Sequence, residues 1–309
     1  MKNEVTGVLP LWKPRGMTSF GAVLEVKKIF QTKRVGHTGT LDPEVDGVLP
    51  ICLGRATKIV EYLTADQKTY EGEVTIGFST TTEDQSGEVV EEKIVDRAIT
   101  EEEVNNVLRE LTGEIVQIPP MFSAVKVKGK RLYEYARAGI TVERPKRNVT
   151  IYELTLLSPI ETTDEGNVRF RFKAVCSKGT YIRTLSVTIG EKLGFPAHMS
   201  LLTRTSSGVF QGKDCITLEQ LKALKEEEKQ LTTLLSIEDA LSIYPKETVT
   251  EEIEAKIMNG ALLPASLVNM DETLIALYNQ QGECLALYEK HPKRVGMLKP
   301  AKMLKIDVN

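Results

Sequence analysis

At 309 residues, 41% hydrophobic and 27% charged, the chain falls in the ordinary range of soluble globular proteins, with room for one large domain and a smaller second one. A formal net charge of −3 excludes a global basic field, so a polyanionic partner would have to be met by local patches. The four cysteines (Cys52, Cys176, Cys215, Cys284) form no C-x-x-C pair and have no histidine at ligand spacing, which speaks for reduced thiols over a zinc site or a disulfide framework.

The opening MKNEVTGVLPLWKPRG lacks the apolar core of a signal peptide, and no run nears the ~18 apolar residues of a membrane span, so a cytoplasmic chain with no membrane partner is expected. SFGAVLEVKKIF (19–30) carries Val23, Val26 and Phe30 at helical spacing behind a Thr18-Ser19 start signal. TYEGEVTIGFST (69–80) alternates Tyr70, Gly72, Val74, Ile76 and Phe78 with polar residues and reads as one half-buried strand; an acidic loop, TTEDQSGEVVEEK, follows. Thr100 and Glu103 form a capping-box signature for a helix that carries Val104, Val107, Leu108 and Leu111 and stops at Gly113.

Residues 121–150 hold eight Lys/Arg against two Glu, with Phe122, Tyr133 and Tyr135 interleaved; against an acidic background this pattern favours a nucleic-acid contact over a solvated basic face, and Lys126, Lys128 and Lys130 are its candidate phosphate ligands. VRFRFKAVC (168–176) reads as a strand that breaks at Lys178-Gly179 into a helix from Thr180 to Leu193. Arg183 then sits in the first turn, where the macrodipole disfavours a cation, so it is either a functional residue or a side chain turned to solvent. A Thr217/Gln220 capping box starts a leucine-rich helix. From residue 246 the chain changes to a short helix, a hairpin (LIALYN-QQGE-CLALYEK) and a basic end, about 60 residues that read as a small β-barrel.

HTGTLDPEVDGVLP (37–50) concentrates Asp42, Glu44, Asp46 and His37. A calcium loop is excluded, because the position that should supply the bidentate glutamate is Leu53 and the residues before it are apolar. Asp42 and Glu44 could form a glycosidase-like pair, although such pairs usually come from separate strands. Asp42 could equally be a turn residue held extended by Pro43. Residue chemistry alone leaves these alternatives open.

GHTGTLDPEVDGVLP, with WKPRGMTSF before it and GRATKIVEYL, KTYEGEV, MFSAVKVKGKRLYEYARAG, CSKGTYIRTL and RVGMLKPAKML after it, resembles the bacterial tRNA pseudouridine synthase B family over nearly the whole chain. The resemblance implies an α+β fold: a mixed, largely antiparallel sheet flanked by helices (1–245, including the basic insertion 121–150, which would close over RNA), then a PUA-like β-barrel (246–309). It implies isomerisation of uridine 55 in the T loop of tRNA. It also implies catalytic roles for Asp42, for Tyr70 as a candidate acceptor of the C5 proton, and for Arg183 as the partner of the aspartate. Tyr181 and Leu202 would line the uracil pocket, His37 would enter the space left by the flipped nucleotide, and Lys58 would support binding. The expected partner is tRNA, through its T arm and T loop. A monomer with no cofactor and no metal is expected, since the isomerisation needs no redox change or group donor. A bidentate arginine would suit the planar carboxylate of Asp42 better than lysine. The chain departs from the family at Glu44-Val45-Asp46, where many members have small residues. An RNA chaperone without catalysis, or a carbohydrate hydrolase built on Asp42 and Glu44, would be the competing readings.

Overall fold

The first strand, β1 (Gly7–Lys13), is apolar without alternation because both of its faces are covered: Leu9 and Leu11 enter one core while Val8 enters another. The computed structural model describes residues 4–64, 67–267 and 274–305. Helix α1 (Ser19–Phe30) follows with the expected bounds, capped by Thr18, whose hydroxyl accepts from the Gly21 N–H at 2.9 Å. Strands β2 (Val35–His37) and β3 (Asp46–Leu53) pair antiparallel, so TGTLDPEV (38–45) is the loop joining two strands of one sheet. A single helical turn, α2 (Val60–Leu63), leads to β4 (Gln67–Ile76).

The strand expected over 69–80 is broken. Gly77 has φ +129°, and a Cβ there would lie 2.2 Å from Asn167 Oδ1, so the chain turns at a position only glycine fills. Beyond the break, β5 (Phe78–Thr80) pairs with β6 (Val89–Glu92) in a separate two-stranded hairpin, and the stretch read as an acidic loop is partly strand. Helix α3 (Glu101–Glu110) carries the expected capping box and leads through Gly113 into β7 (Gly113–Gln117). The basic segment forms the hairpin β8 (Lys126–Val127) and β9 (Lys130–Arg131), then α4 (Leu132–Arg137), before β10 (Arg147–Leu156) re-enters the main sheet. Strands β11 (Glu161–Thr162) and β12 (Val168–Ser177), helix α5 (Ile182–Leu193) and β13 (Ala197–Ser207) follow, then the short β14 (Phe210–Gln211).

The main sheet runs β1-β3-β13-β4-β12-β10-β7, with β2, β11 and β14 as side pairings. Every step along that path is antiparallel except β3–β13, so the sheet is mixed and largely antiparallel, as expected. Helices α1, α3 and α5 supply the apolar side chains that cover one face.

Helices α6 (Leu218–Glu226) and α7 (Ile237–Ala240) lead to β15 (Lys246–Thr248), α8 (Glu251–Met258), β16 (Leu263–Pro264), β17 (Leu274–Tyr278), β18 (Cys284–Lys290) and β19 (Met297–Met303). The expected hairpin is β17–β18, in a five-stranded sheet ordered β15-β17-β18-β19-β16. Among the described residues this sheet is open, with β15 and β16 as unpaired edges, where a closed barrel was expected. It is also packed onto the main sheet. Val8, Val48, Cys52 and Ile59 share one buried cluster with Ala276, Tyr278, Leu287 and Leu304, and the Tyr62 hydroxyl donates to the Ala301 carbonyl at 3.1 Å.

Candidate active site

The loop between β2 and β3 is tied down from three directions. The Ser19 hydroxyl, at the start of α1, donates to the Leu41 carbonyl at 3.0 Å and accepts from the Leu41 N–H at 2.8 Å. The Pro43 carbonyl accepts from the Gly16 N–H at 2.9 Å and from Lys13 Nζ at 3.2 Å, and the Val45 N–H closes a turn onto the Asp42 carbonyl at 3.1 Å. Leu41 and Val45 are buried on either side, so Asp42 is presented between two apolar anchors with its side chain 40% exposed.

Its partner comes from the start of α5. Thr180 donates its hydroxyl to the Ser177 carbonyl at 2.8 Å across Gly179 (φ +84°), and that turn delays the helix to Ile182, two residues later than the sequence suggested. The buried amide of Gln117, on β7, donates to the Tyr181 carbonyl at 3.1 Å and accepts from the Tyr181 N–H at 2.9 Å, which fixes the helix entrance. Arg183, 6% exposed in its side chain, lies in the unfavourable first turn and makes one ion pair and two hydrogen bonds: Nε lies 3.0 Å from Asp42 Oδ2, Nη1 donates to the Thr82 carbonyl at 3.0 Å and Nη2 to the Phe122 carbonyl at 3.0 Å. The pairing with Asp42 is therefore through one nitrogen, and the expected bidentate fork is replaced by a guanidinium that ties Asp42 to the loops holding Thr82 and Phe122.

Tyr70 lies on β4, opposite Ala174 of β12 and Arg204 of β13. It is buried, and that burial pushes its phenol above the ordinary range, opposed by the Arg204 guanidinium beside it. Arg204 is itself 1% exposed, with Nε donating to the Val48 carbonyl at 2.8 Å and Nη2 to the Gly39 carbonyl at 3.1 Å. Its backbone passes so close to β3 that a Cβ on Gly47 (φ +117°) would lie 2.2 Å from the Arg204 carbonyl oxygen. Sequence reasoning missed Arg204. The available signal was its phase: Leu202 and Arg204 are two apart on β13, so an arginine occupies a core-facing position.

Asp42, Tyr70, Tyr181, Arg183 and Leu202 line one cavity of about 340 Å³, together with Lys68, Ser123 and Arg204. The volume lies at the lower end of the roughly 300–1,000 Å³ typical of ligand pockets. The other sequence candidates lie outside its lining. His37, at the end of β2, is half-buried and accepts from the Gly39 N–H on Nδ1 at 3.3 Å; burial first and Arg204 second push its pKa down, which keeps it neutral near pH 7. Lys58, in the turn after β3, donates to the Met303 carbonyl of β19 at 3.1 Å. Lys126, Lys128 and Lys130 are fully displayed on the β8–β9 hairpin, whose tight turn uses φ +48° at Lys128 and +85° at Gly129. Glu44 is exposed, and Asp46 accepts from Arg15 Nη2 at 2.9 Å and from the Thr203 hydroxyl at 2.6 Å, so neither forms a reacting pair with Asp42.

Two solved structures match the chain nearly end to end. A Cbf5–Nop10–Gar1 complex aligns with a TM-score of 0.73 and 28% identity, and an H/ACA RNP bound to a substrate RNA containing 2′-deoxyuridine with 0.71 and 26%; each covers 97% of this chain and 85% of the matched one. With the sheet order and the Asp–Arg cavity, these place the molecule in the pseudouridine synthase class, whose members isomerise uridine in RNA. The model of the TruB family pseudouridylate synthase N-terminal domain matches residues 27–182, and that of the tRNA pseudouridylate synthase B C-terminal domain matches residues 183–271. The chain belongs to the TruB family. It is 56% identical to the tRNA pseudouridine synthase B of Bacillus cytotoxicus over 96% of this chain and 97% of that one, and 54% identical to that of Bacillus pumilus over 98% and 99%.

Proposed function

We propose that this enzyme converts uridine 55 in the T loop of tRNA into pseudouridine, with Asp42 as the reacting carboxylate. The observation that carries the reading is the placement of one carboxylate, tied to a buried arginine, at a cavity lined by Tyr70, Tyr181 and Leu202. The near-full-length similarity to tRNA pseudouridine synthase B proteins supports tRNA as the substrate.

The isomerisation breaks the C1′–N1 bond, turns the uracil and joins C5 to C1′; the C5 proton leaves and N1 gains one. A stacked uridine cannot enter a cavity of this kind, so it must be flipped out at a cost of a few kcal/mol. Contacts between Lys126, Lys128, Lys130 and backbone phosphates would offset that cost, as would the insertion 121–150 closing over the T arm. His37, neutral and bonded to the N–H of the cavity-lining Gly39, suits the space the nucleotide vacates. Asp42 acts as nucleophile or as base, with Arg183 stabilising its charge through Nε. Leu202, Tyr181 and Tyr70 present apolar surface to the base. The raised pKa keeps the Tyr70 phenol protonated in the resting site, so its first role is to cover the base, and accepting the C5 proton requires its own proton to leave first. Residues 1–245 would form the catalytic domain and 246–309 a PUA-like RNA-binding unit, with Lys58 supporting their junction through Met303. The enzyme would act as a cytoplasmic monomer.

The test is incubation with unmodified tRNA transcript, followed by position-resolved mapping of pseudouridine. Asp42→Asn should lose pseudouridine formation and keep tRNA affinity within a few-fold. Modification at another position, or an Asp42→Asn enzyme near the wild-type rate, overturns the reading.

A further inference from the structure

Among the described residues, four side chains leave a buried polar atom without a hydrogen-bond partner: Thr38, Ser123, Ser207 and Gln230. Only Ser123 of these lines the active-site cavity. Its residue is 6% exposed, and its hydroxyl is enclosed yet unsatisfied, an arrangement that folding alone disfavours and that a bound polar group would relieve once the hydroxyl turned about the Cα–Cβ bond toward the cavity. The backbone on which it stands is held from both sides. The Phe122 carbonyl accepts from Arg183 Nη2 at 3.0 Å, and the Ser123 carbonyl accepts from the Tyr133 N–H at 3.1 Å. The same arginine that holds Asp42 therefore also fixes the chain that carries the unpartnered hydroxyl.

We infer that the Ser123 hydroxyl becomes a hydrogen-bonding contact for the extruded uridine, turning from its enclosed resting position when the nucleotide occupies the cavity. A hydroxyl both donates and accepts, so it matches either the imide edge of uracil or the ribose 2′-hydroxyl. The inference rests on the reading that the target uridine enters this cavity. It makes the basic insertion more than an electrostatic arm, because that segment then delivers a contact to the nucleotide itself.

The experiment compares wild type, Ser123→Ala and Ser123→Cys on the unmodified tRNA transcript by single-turnover pseudouridine formation, filter-binding affinity and thermal unfolding. One hydrogen bond corresponds to a rate loss of about five- to thirtyfold. Ser123→Ala should show that loss, with tRNA affinity within about threefold and a Tm equal to or above wild type, because an unsatisfied buried hydroxyl has been removed. Ser123→Cys, of similar shape but a weak donor, should behave like the alanine variant. Repeating the assay with 2′-deoxyuridine at the target separates the two acceptors: a serine effect that disappears assigns the ribose, and one that persists assigns the base. Rates within twofold of wild type overturn the inference, as does a Tm falling in step with the rate, which would mark a structural hydroxyl. A wild-type enzyme that leaves the T loop unmodified overturns the substrate reading, and the role of Ser123 with it.

Discussion

Replacing Arg183 by lysine keeps a positive charge beside Asp42 and removes most of what holds it there. The guanidinium uses Nε for Asp42 and its two Nη groups for the Thr82 and Phe122 carbonyls, all at 3.0 Å. A lysine ammonium lies near where arginine has its Cζ and cannot occupy three positions spread around that carbon. The part that lysine retains is the weaker one, because Asp42 is 40% exposed and a solvent-facing ion pair contributes about 1 kcal/mol or less. The part it loses is two hydrogen bonds from a charged donor that is 6% exposed, each contributing about 1.5–3 kcal/mol. If both support the reacting geometry, the loss of about 3–6 kcal/mol lowers the single-turnover rate by roughly 10²–10⁴. The assay is release of tritium from C5-labelled uridine in tRNA transcript at saturating enzyme, beside filter-binding affinity. The expected pattern is a rate loss of at least a hundredfold with affinity changed by less than about fivefold. A rate within threefold of wild type would refute the tether, and an affinity loss equal to the rate loss would make Arg183 a binding group.

Changing Lys126, Lys128 and Lys130 together to glutamine should weaken tRNA binding and flatten the slope of log Kd against log salt by about 2–3, the value for three phosphate contacts; an unchanged slope would leave the hairpin as solvated surface. Gly47→Ala should destabilise the fold by about 2–6 kcal/mol in urea unfolding, since the added Cβ meets the Arg204 carbonyl at 2.2 Å and φ is +117°; a change under 1 kcal/mol would contradict the close approach. Lys13 is held down to about 8 from 10.5, chiefly by burial, although Asp46 and Glu44 pull the other way. Between about pH 8 and 10.5 the unfolded chain binds the extra proton, so the folded state gains stability as pH rises and bears its full penalty below 8. The Tm of wild type relative to Lys13→Met should therefore climb across that window, and a flat difference would remove the buried cation from the account.

Features set by neighbours in sequence were legible in the residues. The bounds of α1 and the capping boxes of α3 and α6 depend on side chains three or four positions apart, and the periodicities of β4 and β12 on alternation. Asp42, Tyr70, Tyr181, Arg183 and Leu202 share one cavity in the structure, but they were selected by resemblance, because no local pattern relates loop, strand and helix residues so distant in sequence. What stayed hidden was set by approach between distant segments. The space at the Gly77 break is closed by Asn167, and the open C-terminal sheet leans on a core it shares with β1 and β3. The division of the Arg183 guanidinium between Asp42 and two backbone carbonyls depends on where two other loops arrive.

The same distinction sorts the three carboxylates between β2 and the start of β3. Asp46 is committed to the fold. Its Oδ1 accepts from Thr203, the residue that faces it across the parallel β3–β13 pairing, and from Arg15, whose Nη2 also reaches the Leu202 carbonyl at 3.4 Å. Both members of the Arg15–Asp46 pair are partly open to water, so its contribution is positional more than energetic. It joins the turn after β1 to the strand that bears Leu202 and Arg204. Glu44 remains in solvent, and Asp42 alone faces the cavity with a buried cation at its side. A carboxylate already bonded within the sheet is a poor candidate for chemistry, because reacting would mean giving up those bonds. Of the three acids, Asp42 is the one that both borders the cavity and has a buried cation to hold its charge.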